Sequence, residues 1–232
     1  MRTHHGSTRT KTKSSRLVDW HGIFRAIREG TPERPLPSVS LLAAQTASAF
    51  HILVSTMISL RTRDDVTLAA SRRLFALAPD AQATARLAVE QVERLIYPAG
   101  FYRTKARNII TVAGRIEHDY GGKVPDTVEE LTSFPGVGRK TANLVLGLGF
   151  GIPSICVDTH VHRISNRAGW IGTKTPEATE IALMDVLPKD LWIVANESLV
   201  AFGQTICTPG APRCSACPIN EECPRVGVTR SR

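Results

Sequence analysis

Apolar residues in this chain recur with a helical period. Phe50, Leu53, Val54, Met57 and Ile58 fall at i, i+3, i+4, i+7 and i+8, and Ala88, Val92, Leu95 and Ile96, then Ile109, Val112, Ala113 and Ile116, repeat that geometry. This spacing sets one stripe of an α-helix against a core. No run alternates strictly over the length of a strand, so an all-α fold is expected. The punctuation agrees: Asp64 precedes one helix, Pro79-Asp80 ends it, Gly121-Gly122 ends a later one, and Thr175-Pro176 opens another. Helices are therefore predicted over 19–29, 41–60, 64–78, 84–97, 103–119, 126–133, 139–148, 160–168, 176–187 and 190–206. At 232 residues and 42% hydrophobic composition, the chain can build one large core or two smaller ones. No apolar run reaches the roughly 18 residues of a membrane span, so a soluble protein with no membrane partner is expected.

Charge points to an anionic partner, but weakly. The net charge is +8, yet Arg2, Arg9, Lys11, Lys13 and Arg16 lie in an acid-free stretch over residues 1–17, which leaves +3 on the rest. That stretch lacks apolar residues to pack and is expected to be a disordered basic tail. It has no apolar segment of a secretory signal; an organellar transit peptide shares its composition, and a solvated tail near phosphates fits it better. Five cysteines, four of them crowded between 207 and 223, do not form a secreted disulfide framework. A reducing compartment is expected.

Two segments carry chemistry. In the first, Asp126 and Glu129 resemble a capping box that starts a short helix with Val128 and Leu131 turned inward. Phe134-Pro135-Gly136-Val137-Gly138 then makes a tight hairpin that can bring bare amides close to a ligand. A helix beginning Arg139-Lys140-Thr141 follows at once, so its free amides and the positive end of its dipole face whatever docks there. A phosphate fits that description. The plainer alternative is an ordinary helix-to-helix turn.

In the second segment, Cys207, Cys214, Cys217 and Cys223 give C-x6-C-x2-C-x5-C within a Pro- and Gly-rich loop. Four thiolates so placed can wrap a tetrahedral zinc or a cubane [4Fe-4S] cluster. Zinc sites of four cysteines usually pair two short knuckles; here there is one short pair, which favours iron–sulfur and leaves zinc open. Cys156, between Ile155 and Val157, reads as a buried small apolar side chain.

The hairpin Leu131 to Asn143, the segment Val157-Asp158-Thr159-His160-Val161-His162-Arg163 and the cysteine loop together resemble endonuclease III, the bifunctional DNA glycosylases of the helix-hairpin-helix superfamily. The resemblance runs from about residue 20 to 224. It implies two helical domains flanking a DNA-binding cleft: a six-helix barrel over 42–152, and an iron–sulfur domain formed by 18–41 with 153–232. It also implies a monomeric base excision repair enzyme, a DNA N-glycosylase and abasic-site lyase, acting on oxidised pyrimidines in duplex DNA. The compartment would be the bacterial cytoplasm, or an organelle or nucleus otherwise. The family's catalytic lysine falls on Lys140 and its aspartate on Asp158. That assignment is chemically sensible, because an attacking amine must be uncharged and a helix N-terminus beside Arg139 disfavours the ammonium form. A carboxylate beside the sugar can stabilise oxocarbenium charge and relay a proton. The blander roles are a phosphate contact for Lys140 and a helix cap for Asp158.

The chain departs from the family pattern in two places. Arg61 stands where relatives place the glutamine that fills the space left by the extruded base; it can plug that gap and hydrogen-bond the orphaned base, a guanine in particular, while its length and charge would alter lesion preference or rate, so a changed opposite-base preference is expected. Phe101 stands at the family's apolar wedge, its alternative being a core position. Between the first two cysteines only Arg213 is basic, so phosphate contacts should rest on the hairpin amides of Gly136, Val137 and Gly138, on Arg139, Arg163 and Lys105, and on the tail. His160 and His162 read as supports of the Asp158 turn. The changed Arg61 keeps open a second reading, a damage-binding iron–sulfur protein with weak catalysis or a glycosylase with altered lesion preference.

Overall fold

In the computed structural model, which describes residues 18–33, 36–46 and 48–232, every regular element is helical. The basic stretch 1–17 lies outside the described residues. The order is α1 (Trp20–Gly30), α2 (Ser38–Gln45), α3 (Ala49–Ser59), α4 (Asp64–Leu77), α5 (Ala81–Ala85), α6 (Val89–Ile96), α7 (Tyr102–Tyr120), α8 (Val128–Thr132), α9 (Arg139–Phe150), α10 (Thr159–Arg167), α11 (Pro176–Val186) and α12 (Trp192–Thr205).

Where boundaries differ from the periodicity, a polar side chain explains the difference. The helix predicted over 41–60 is two, because Thr46 is extended and Ser48 caps α3 by accepting from His51 N at 3.3 Å. The apolar stripe runs through the break and hides it. Asp80 starts α5 as its cap, accepting from Ala83 N at 2.7 Å, and Gln91 Oε1 accepts from Ala88 N at 2.8 Å to start α6. The cap of α8 is Thr127, one residue past the predicted Asp126: its hydroxyl accepts from Glu130 N and donates to Glu130 Oε2. Asp64 lies inside the first turn of α4, and its Oδ1 accepts from Ser38 N and Oγ at the start of α2.

Two hydrophobic cores organise these helices. The first gathers the stripes of α3, α4, α6, α7 and α9, with Ile52, Leu53, Ile58, Leu74, Ile109 and Ile116 fully buried; Val39 of α2 also belongs to it. The second joins both ends of the described chain, Phe24 and Ile27 of α1 packing with Ile155, Ile164, Leu199 and Phe202. Burial of apolar area drives both. Between them runs the segment 154–156, fixed to both sides. Asn143 Nδ2 donates to Ile155 O at 3.1 Å, Ser154 Oγ to Asn143 O at 2.7 Å, and Asn196 Nδ2 to Cys156 O at 2.9 Å. The junction therefore delivers Asp158 beside α9.

Candidate active site and cysteine cavity

The hairpin between α8 and α9 is shaped by its glycine and clamped by α7. Gly136 has φ +79°, and a Cβ there would meet Asn108 Nδ2 at 2.7 Å, so conformation and space both require glycine. Phe134 is buried under the turn with the Arg115 guanidinium 4.8 Å from its ring centroid, and Arg115 Nη1 donates to Ser133 O at 2.9 Å. Val137, expected among the ligand contacts, turns its side chain into the first core and donates its amide to Phe134 O. Gly138 caps α9 without a side chain, and Gly138, Arg139 and Lys140 are all exposed. The first-turn amides of α9 are thus left for a ligand.

Lys140 stands in that first turn, and Asp158 caps α10 through Oδ1, which accepts from His160 N at 2.8 Å and Val161 N at 2.9 Å. Between the two helix starts lies Cys156, buried as expected, with Sγ donating to Lys140 O at 3.5 Å. Burial pushes its thiol up to about 12, while Lys140 pulls it down and Asp158 and Glu180 push it further up. His160 is held below the usual imidazole range by burial, with Asp158 opposing and Arg163 and Lys140 adding to the shift. Cys156, whose Sγ reaches the Lys140 carbonyl, lies just before Asp158 in the chain, so the starts of α9 and α10 meet at this buried thiol. Oδ1 alone serves as the cap.

Arg139, expected to touch phosphate, directs its guanidinium elsewhere. Nε and Nη2 donate to the two carboxylate oxygens of Glu180 on α11 at 2.8 and 2.9 Å, a bidentate pair that ties the hairpin helix to the second core. The positive field at the start of α9 therefore comes from its amides, Arg139 being neutralised. Exposure is unequal: the Arg139 side chain is 45% exposed and that of Glu180 6%. Removing either partner consequently has different effects. Arg139→Ala strands a buried carboxylate and should destabilise by about 3 kcal/mol. Glu180→Ala leaves a cation half in water and should cost only about 1 kcal/mol. Denaturation of the two variants side by side checks the asymmetry.

Arg61 and Phe101 meet although forty residues separate them in the chain. The Arg61 guanidinium carbon lies 5.5 Å from the Phe101 ring centroid, and Phe101 is 64% exposed, which disposes of a core role for it. Lys105, expected on phosphate, is instead buried beneath them, its ammonium donating to backbone oxygens. Arg163 is likewise turned inward: Nη2 donates to Gly203 O, Cys207 O and the His160 ring. Neither need was visible in the sequence, because the carbonyls they satisfy belong to distant helix ends. His162 pairs its Nδ1 with the Thr179 hydroxyl at 2.6 Å rather than with Asp158.

Cys207, Cys214, Cys217 and Cys223 line one cavity, walled by Ile164, Phe202, Ile206 and Ile219 and flanked by Arg167, Arg213 and Arg225. All four are free thiols. Among the described residues no group of three or more Cys, His, Asp or Glu side chains is placed to hold a metal ion. Arg167 Nη1 donates to Cys207 Sγ at 3.4 Å and to Thr208 O at 2.8 Å, holding the loop to α10. An all-thiolate centre carries net negative charge, which an arginine-flanked, otherwise apolar cavity accommodates.

Among the described residues no helix is long and apolar enough to cross a membrane. A family model, the HhH-GPD superfamily of base excision DNA repair proteins, matches residues 54–189. Endonuclease III of Thermotoga maritima is 49% identical over 174 residues, which cover 75% of this chain and 82% of that one. Endonuclease III homolog 2, chloroplastic, of Arabidopsis thaliana is 42% identical over 89% of this chain, which spans 58% of that longer protein. A solved structure of a trapped endonuclease III–DNA covalent intermediate, an estranged-adenine complex, superposes with a TM-score of 0.74 at 29% identity, covering 88% of this chain and 94% of that one. A glycine-shaped hairpin followed by an aspartate-capped helix in an all-helical framework, within the matched residues, is the frame of a helix-hairpin-helix glycosylase. The chain belongs to the HhH-GPD superfamily of base excision DNA repair proteins and, within it, to the endonuclease III enzymes.

Proposed function

We propose that this glycosylase removes oxidised pyrimidines from duplex DNA and cleaves the strand at the abasic site, with Lys140 as nucleophile and Asp158 as its carboxylate partner. The observation that carries the reading is the pair of helix starts joined through the buried Cys156, one bearing the exposed Lys140 and the other capped by Asp158. Phosphate docks on the outward amides of the hairpin and α9, with Gly136 and Gly138 allowing close backbone approach. The damaged nucleotide swings out of the stack, at an unstacking cost of a few kcal/mol that is least for a lesion that stacks poorly. The Lys140 amine attacks C1′ as the C1′–N bond to the base breaks, one amine proton leaving with the base; the C1′–O4′ bond then opens, Asp158 relaying the second amine proton to O4′, and a Schiff base remains. Loss of the proton on C2′ then expels the 3′-phosphate from the resulting Schiff base. The division into a barrel unit and a cluster unit draws support from the two cores, with Val39 extending the first unit ahead of residue 42.

The four cysteines, which line one cavity flanked by arginines, are proposed to hold a [4Fe-4S] cluster, the single short Cys214–Cys217 spacing favouring it over a zinc site built from two knuckles. When bound, the cluster cross-links the loop 207–223; Arg167 and Arg163 anchor that loop to α10, and so to Asp158 at its other end. No step of the chemistry runs through it.

Arg61 is proposed to fill the vacated stack and Phe101 to wedge beside it. A guanidinium reads guanine acceptors at about 1 to 3 kcal/mol, so lesions opposite guanine should be excised roughly ten-fold faster than those opposite adenine. Arg61→Gln should narrow that ratio to near unity; an unchanged ratio would remove Arg61 from base reading. The function itself is tested with lesion duplexes under single-turnover conditions in borohydride. Excision together with a covalent adduct supports it, whereas binding without either leaves the damage-sensing alternative.

A further inference from the structure

We infer that Lys105 is a positioning residue for DNA opening, its buried ammonium holding the Arg61 and Phe101 backbones in the pose that lets the two side chains act as one couple. This inference rests on the proposed function. Both residues are unusual: Arg61 has φ +53° and Phe101 φ +57°, left-handed conformations that a non-glycine residue adopts only when its surroundings impose them. Lys105, on α7, is 8% exposed, and its Nζ donates to Ile58 O at 2.6 Å, Leu60 O at 2.5 Å and Thr62 Oγ1 at 2.9 Å. It therefore satisfies carbonyls at the end of α3 and grips both chain neighbours of Arg61. Thr62 Oγ1 also accepts from Gly100 N at 3.1 Å, which carries the hold across to the residue before Phe101. At Gly100 a Cβ would stand 2.3 Å from Arg61 O, so the two loops touch backbone to backbone. One ammonium, through one hydroxyl, pins both left-handed residues.

A lysine suits the task for reasons of donor count. Three acceptors converge on Nζ, and –NH3+ supplies three donors. Burial pushes the group down to about 8, which leaves the charged form dominant at neutral pH. The charge also meets the negative end of the α3 dipole. Methionine matches the length of the stem and offers no donor.

The test separates steps that need opening from steps that do not. Full-chain holoprotein and its Lys105→Met variant are compared in excision of thymine glycol from duplex DNA, in cleavage of a preformed abasic site, and in the fluorescence of 2-aminopurine placed opposite the lesion. The variant should lose excision by about ten-fold or more and lose the fluorescence rise on binding, while abasic-site cleavage stays within about three-fold, because no base remains to be extruded. A parallel fall of both activities with the fluorescence rise intact would overturn the inference. If Lys105→Met does not fold with its visible absorbance intact, Thr62→Val, which removes only the shared hydroxyl, must show the same split; an unsplit loss would again overturn it. Wild-type protein that neither excises nor cleaves would fail the proposed function, and the fluorescence comparison would still decide the role of Lys105.

Discussion

Lys140→Gln should fold, bind an abasic duplex and yield no borohydride-trapped adduct, with strand cleavage reduced on the order of a thousand-fold or more, as expected when the proposed nucleophile is removed. Stability should change by less than about 0.5 kcal/mol, because the Lys140 side chain lies in an exposed first helical turn. The same experiment separates the nucleophile from a phosphate contact. Removing a phosphate-binding lysine weakens binding uniformly and lowers the salt slope by about one, leaving the rate in the bound complex alone. Intact single-turnover rates at saturating protein would therefore assign Lys140 to the backbone contacts and hand the chemistry to another group.

Asp158→Asn should reduce excision by at least about a hundred-fold at nearly unchanged stability, since asparagine caps a helix about as well as aspartate. The two carboxylate oxygens have separate tasks. Oδ1 accepts both amide bonds, from His160 N and Val161 N, and an amide oxygen can replace it. What asparagine removes is the negative charge and the capacity to take a proton. Asp158→Ala should show the same catalytic loss and an additional destabilisation of about 1 kcal/mol from the missing cap. Thermal unfolding of the two variants beside single-turnover rates checks both halves. Full activity in Asp158→Asn would reduce Asp158 to the cap.

The cap illustrates why the alternatives for Asp158 were not exclusive. The sequence places an aspartate immediately before Thr159-His160, which is what a cap requires, and it resembles a family in which that aspartate is catalytic. The cap and the proposed catalytic role are compatible on one side chain, because a residue locked by two backbone amides can aim its remaining oxygen without further support. The glycine-flanked hairpin, the four thiols and most of the helices were legible for similar reasons. Turn chemistry, ligand type and apolar period are local properties, written within a few residues of where they act.

Pairings across the fold were not legible. Arg139, Arg163 and Lys105 are each a basic residue near a candidate phosphate site, and charge alone assigned all three to DNA. Tertiary structure redirected them: Arg139 to the buried Glu180, Arg163 to carbonyls of Gly203 and Cys207, and Lys105 to the end of α3. The physical reason is that a buried carbonyl or carboxylate must find a donor, and which donor reaches it depends on packing between elements far apart in the chain. Composition and period determined that the chain is helical, with a ligand-facing hairpin and a thiol-rich loop. Only the packed structure decided which cations remain free for phosphate and which hold the machinery in shape.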